Sequence, residues 1–341
     1  MRVVIFGAGA VGGHLAARLA AHGPAAGIEV AAVARGAQLE AMNQRGITLW
    51  IGEERTSAPI HATDRPETLG HQDVVIVTLK SSILPVVAQQ LQTLIGPETT
   101  VVFAMNGIPW WYLYRLKDGG VPLPDLSHLD PGRVLERAVG LDRVVGCMIN
   151  SANTVAEPGV IRNSPGTKNR FTLGEPDGTI SRRLQTISEA FERAGIPTPL
   201  TATIRVEIWD KLVRNLSTSP ICSVTGAPIA VLGRHPELFA LSKALMREGL
   251  AVCAAYGIHI DVDPERAYGT RPSSPHKPSM LQDFERNRPP EIDGLLTAVQ
   301  AFARSAGVAT PHLDAITALL IEKARRMGLY PAYDDPRRDN R

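Results

Sequence analysis

Near its amino terminus the chain reads RVVIFGAGAVGGHLAARLAAHG, residues 2–23: a short apolar run, a glycine turn, and an alanine-rich helical pattern that starts at once. Few folds accept that order. Gly7, Gly9 and Gly12 stand at the fingerprint spacing of a strand–turn–helix unit that binds a dinucleotide. The first permits a tight turn, the second lets a pyrophosphate approach the backbone, and the third lets helix and strand pack closely. The N–H groups and dipole at the start of the helix then favour phosphate charge. The alternative is a glycine-rich turn with only a structural role.

The next strand pattern, IEVAAVARG at 28–36, ends on Arg35, where NAD-binding chains often carry an acidic residue for the ribose hydroxyls. A carboxylate there would repel a 2′-phosphate, and a guanidinium grips one with charge-assisted hydrogen bonds. The expected cofactor is therefore NADP(H), against the simpler reading of a surface arginine after a strand. Two more buried strand patterns follow, DVVIVTLKS at 73–81 and TTVVFAMNGI at 99–108, separated by a helical stretch around ILPVVAQQLQTLI. They put Lys80 and Asn106 at strand carboxyl ends, where ligands gather in an open α/β sheet.

Residues 109–133, PWWYLYRLKDGGVPLPDLSHLDPGR, form an excursion that either walls or lids a cleft or packs its aromatics onto the domain's own flank. RVVGCMINSA and EPGVIRNSPGTKNRFTLGE read as later strands, the second a candidate hairpin, and the helical ISRRLQTISEAFERAG closes the domain near residue 200. Helical patterns then dominate: 203–218, PELFALSKALMREGLAVCAAYG, PPEIDGLLTAVQAFARSAG and HLDAITALLIEKARRMG. The expected fold is α/β: a Rossmann-type dinucleotide-binding domain over 1–200 followed by an all-α domain over 201–341, with the site in the crevice between them.

Within the first of those helical patterns, WDKLVRNLSTSP sets Lys211, Asn215 and Ser219 four residues apart. At about 100° per residue, Ile208, Trp209, Leu212, Val213 and Leu216 share an apolar arc. The polar row drifts inward along it, from Lys211 at the border to Asn215 at the edge and Ser219 inside. Taken alone this is a snorkelling lysine above a capped amide. Facing a dinucleotide cleft, the same inward drift is what a catalytic row requires.

Composition excludes other classes. The 341 residues are 44% hydrophobic and 21% charged with a net charge of +2 and no basic cluster, which argues against nucleic-acid or membrane-surface partners. The three cysteines, Cys147, Cys222 and Cys253, lie far apart, so neither a metal site nor a disulfide framework is expected. No apolar run reaches the roughly 20 residues of a membrane span, and MRVVIF leads straight into a strand with no cleavable leader pattern, so a cytoplasmic location is expected.

GAGAVGG, Arg35, TLKS with Lys80, MNG with Asn106, DKLVRN with Lys211 and Asn215, and PSMLQDFERNRPPEIDGL together resemble the ketopantoate reductase family over nearly the whole chain. Its most specific element is a serine and a glutamate twelve apart, here Ser279 and Glu291. The resemblance implies NADPH-dependent reduction of a 2-keto acid to a 2-hydroxy acid. Lys211 would be the general acid. Glu291 would hold the acid network and touch the cofactor, and Asn106, Asn215, Ser219, Ser279 and His276 would face the substrate. Gly7, Gly9, Gly12, Arg35, Lys80 and Asn106 would meet the cofactor.

Three features depart from the family pattern, all on the substrate side: Ser219 and His276 replace asparagines, and the excursion after Asn106 is long. They leave open a related reductase of a bulkier, less polar keto acid or ketone. A non-catalytic NADPH-binding sensor is a third reading, set against the intact Lys211 and Glu291. The only partner expected is the small keto acid, with a homodimer through the helical domain left open.

Overall fold

The computed structural model describes residues 1–116, 119–164, 166, 168–267 and 275–332. The chain divides into two compact units. The first takes residues 1–105, 114–116 and the described part of 133–204. The second takes residues 106–113, the described part of 117–132, and the described residues from Arg205 onward.

The first unit runs β1 (Arg2–Phe6), α1 (Ala10–His22), β2 (Glu29–Val33), α2 (Gly36–Arg45), β3 (Ile47–Ile51), β4 (Glu54–Ala58) and β5 (His61–Thr63). It continues through β6 (Gln72–Val77), α3 (Leu84–Gln92), β7 (Ile95–Ala104), α4 (Val134–Val139), β8 (Val144–Asn150), β9 (Asn153–Glu157), β10 (Val160–Asn163), β11 (Arg170–Gly174) and α5 (Arg182–Arg193). Seven strands form one sheet in the order β11-β8-β7-β6-β1-β2-β5, parallel except for β11 against β8. The apolar runs are continuous because central parallel strands are covered on both faces. Val3, Val4, Ile5, Val75 and Val101 are completely buried, each such side chain contributing roughly 1.5–3 kcal/mol.

Residues 47–63, which carry no element in the sequence reading, form β3, β4 and β5. The polar, half-exposed β4 hides its strand character. Strands β3 and β4 join the β9–β10 hairpin in a second sheet, β4-β3-β10-β9. Helix α1 lies on that sheet through Gly13, where a Cβ would come within 2.6 Å of the Ile161 side chain.

The second unit is helical: α6 (Ile204–Leu216), whose first residue clusters with the first unit, α7 (Ser219–Thr225), α8 (Pro236–Ala255), α9 (Ser279–Glu285), a π-helical turn Asp293–Thr297 that continues into α10 (Ala298–Ser305), and α11 (Pro311–Arg326). The aromatic start of the excursion belongs to its core. Trp111 and Tyr112 are about 1% exposed. The Tyr112 carbonyl accepts two hydrogen bonds from Arg205, at 3.0 and 2.8 Å, and its hydroxyl accepts one from Trp209 Nε1 at 2.7 Å. The Tyr112, Trp209 and Tyr256 rings each meet Phe302 edge to face at 5.0–5.4 Å. Among the described residues, no helix is long and apolar enough to cross a membrane, and no three metal-ligating side chains are grouped.

Candidate active site

The candidate site residues fall into two groups, one in each unit. In the first unit, strand β1 runs into Gly7, whose φ of +108° suits glycine. The Val33 carbonyl takes the Gly7 and Ala8 amides at 3.1 and 3.2 Å, and the Thr78 hydroxyl donates to the Gly7 carbonyl. Gly12 has no room for a side chain, since its Cβ would lie 2.1 Å from the Gly7 carbonyl oxygen. At Gly9 a Cβ would meet no atom of the chain within 4 Å. The turn is thus pinned from behind and open at its middle glycine, a cradle that fits a pyrophosphate beside the α1 amino terminus.

Arg35 is exposed at the N-cap of α2, two residues beyond β2. Lys80 is half-buried, three residues beyond β6. His14, on α1 just past the turn, is 2% exposed. Its Nδ1 lies 3.0 Å from Asn153 Oδ1, and burial pushes its pKa down to about 4. It therefore acts as a neutral fastener between α1 and the second sheet.

In the second unit the structure brings Lys211, Asn106 and Glu291 together. Lys211 Nζ donates to Asn106 Oδ1 at 2.8 Å, and Asn106 Nδ2 donates to Glu291 Oε2 at 3.4 Å. Glu291 is 9% exposed, so this amide satisfies a carboxylate that burial would otherwise penalise. The ammonium and the carboxylate each reach the end of the amide that can pair with it.

The polar row is not one continuous helical stripe. Helix α6 stops at Leu216, and Ser219 opens the separate α7. Pro220 lacks the N–H that would continue the ladder. The Thr218 amide has already turned to the Asn215 carbonyl at 3.2 Å. Asn215 and Ser219 nevertheless stand together against Leu216, Pro220, Met280, Leu295 and Leu296, with no water-sized space between them. Ser279 and His276 are exposed, Ser279 as the first residue of α9 and His276 in the loop ahead of it, where its carbonyl accepts the Ile229 amide at 3.1 Å. Sequence reasoning passed over Thr78 and Gly107. The MNG motif held a signal for the second, as a glycine directly after a strand-end asparagine.

A parallel sheet with a pinned glycine turn at the carboxyl end of β1 is the fold of dinucleotide-binding oxidoreductases. Sequence comparison narrows that class. Residues 3–111 match the family profile described as ketopantoate reductase PanE/ApbA, and residues 192–324 match the profile of its C-terminal domain. Over 333 residues the chain is 40% identical to the 2-dehydropantoate 2-reductase of Mesorhizobium japonicum, covering 97% of this chain and 100% of that one.

The chain belongs to the ketopantoate reductase family, oxidoreductases that act on a CH–OH group. A solved structure from Ralstonia solanacearum MolK2, described as a candidate ketopantoate reductase, is similar with a TM-score of 0.86 and 38% identity, covering 96% of this chain and 99% of that one. A D-mandelate dehydrogenase solved with NADH and anilino(oxo)acetate shares the fold, with a TM-score of 0.79 over 96% of this chain and 100% of that one, at 21% identity.

Proposed function

We propose that this protein uses NADPH to reduce a 2-keto acid to a 2-hydroxy acid, with ketopantoate or a close analogue as substrate. The observation that carries the reading is the chain from Lys211 through Asn106 to Glu291. When bound, the nicotinamide supplies the hydride that the carbonyl carbon receives. The protein's task is the oxygen, which gains negative charge as the C=O bond becomes C–O.

An ammonium beside that oxygen stabilises the charge and then gives up its proton, leaving a hydroxyl. Lysine can do both, because a partly buried ammonium can lose a proton and arginine stays charged. Asn106 aims Lys211 by accepting one of its three N–H bonds. Glu291 orients the amide by accepting its N–H.

Asn215, Ser219, Ser279 and His276 would bind the keto acid. Gly9, with the first amides of α1, would take the pyrophosphate, since the Gly7 and Ala8 amides are already used. Arg35 would hold the 2′-phosphate, and Lys80 would line the cofactor side. A keto acid with a larger and less polar side chain is the second reading, since Ser219 stands where the family pattern carries an asparagine amide. The enzyme is expected to act in the cytoplasm.

The test is loss of NADPH absorbance with ketopantoate run beside branched and aromatic 2-keto acids. Fastest turnover with ketopantoate supports the first reading, and fastest turnover with an aromatic acid supports the second. Tight NADPH binding without turnover on any of them overturns both.

A further inference from the structure

The Glu291 carboxylate sits two residues before the π-helical turn Asp293–Thr297. Such turns are rare, and they widen the backbone enough to redirect the residues around them. This turn is locked to the Asn106 segment. The Ile108 amide donates to the Gly294 carbonyl at 2.8 Å. Gly107 has φ +74°, and a Cβ there would lie 2.5 Å from that same carbonyl oxygen. Backbone contact, rather than side-chain reach, sets how far Asn106 stands from Glu291.

The turn is also held by two side chains distant in sequence. Tyr330 donates its hydroxyl to Asp293 Oδ1 at 2.6 Å. Thr297 Oγ1 donates to the same Oδ1 at 3.1 Å and stands 3.2 Å from His128 Nε2. Thr297 is 6% exposed, so its contacts form where water competes poorly and hydrogen bonds restrain geometry most. His128 belongs to the excursion and Tyr330 follows α11. Neither lies within the residues that the two family profiles match, 3–111 and 192–324.

We propose that Tyr330 and His128 are positioning residues that act on turnover through Glu291. They brace the π-helical turn that follows Glu291, and so hold Glu291 against Asn106, and Asn106 against Lys211. The inference rests on the reading of Lys211 as the acid. It assigns the excursion a part in catalysis without any contact to the reacting atoms.

The experiment uses full-length Tyr330→Phe and His128→Ala, assayed with NADPH and ketopantoate in the wild-type and Glu291→Gln backgrounds, with melting temperatures measured alongside. The expected result is a fall in kcat of about 3- to 30-fold while both KM values stay within about twofold. In the Glu291→Gln background the same substitutions should change kcat no further, because the group they position is already altered. A purely structural brace would lower the melting temperature and leave kcat alone, or lower kcat by the same factor in both backgrounds. Either outcome overturns the proposal. Lys211→Ala is the separate control. Its loss of turnover with an unchanged Tyr330→Phe removes the brace alone, and its full turnover removes the reading of the site and the brace with it.

Discussion

Lys211 and Asn106 are 105 residues apart in sequence, and the Lys211 ammonium donates to the Asn106 side-chain oxygen at 2.8 Å. The same amide turns its nitrogen to Glu291. One asparagine thus joins the proposed proton donor to the buried carboxylate. Removing the ammonium with Lys211→Ala should lower kcat on the order of 100- to 10,000-fold, the usual worth of general acid catalysis. NADPH affinity measured by fluorescence titration should be unchanged. Turnover close to that of the wild type would refute the role.

Arg35 stands exposed at the N-cap of α2, and a charge-assisted bond from it to a phosphate is worth about 1.5–3 kcal/mol. Arg35→Ala should therefore raise KM for NADPH by roughly 10- to 100-fold and leave KM for NADH nearly as it was. Equal losses with the two cofactors would show that the arginine does not read the 2′-phosphate.

The glycines of the turn should separate binding from folding. Gly12→Ala forces a methyl to within 2.1 Å of a backbone oxygen and should destabilise the protein by about 1–3 kcal/mol or more, visible as a lower melting temperature. Gly9→Ala meets no atom of the chain and should leave the melting temperature alone while weakening NADPH binding. Normal NADPH affinity in Gly9→Ala would place the pyrophosphate elsewhere.

His14 predicts a pH dependence of stability. Its ordinary value of 6.5 falls to about 4 in the folded protein, chiefly through burial. Between these values the unfolded chain binds the proton and the folded one does not. Stability is therefore full above pH 6.5 and drains away as the pH falls toward 4. Between pH 7.5 and pH 5 the loss from this group is about 2 kcal/mol. Denaturant midpoints should show it, and His14→Asn should flatten that part of the profile. An unchanged slope in the variant would mean that His14 is not the group responsible.

What could be read in the linear chain was local. Continuous apolar runs mark β1, β6 and β7 because central strands are covered on both faces, and Gly7, Gly9 and Gly12 mark the turn because its geometry lies within six consecutive residues. The half-polar β4 left no such trace. Lys211 and Asn215 were legible as one face of α6, yet Ser219 looked continuous with them only because helical spacing ignores the amide that Pro220 lacks.

By itself, the sequence determined that this chain would make a glycine-turn parallel sheet followed by helices, and which residue types were available for acid chemistry. The tertiary structure decided their partners. The bond between Asn106 and Glu291 spans 185 positions, and the brace from Tyr330 to Asp293 reaches back from beyond α11. Contacts of that range follow from how helices and turns pack on one another, which no periodicity along a single element encodes.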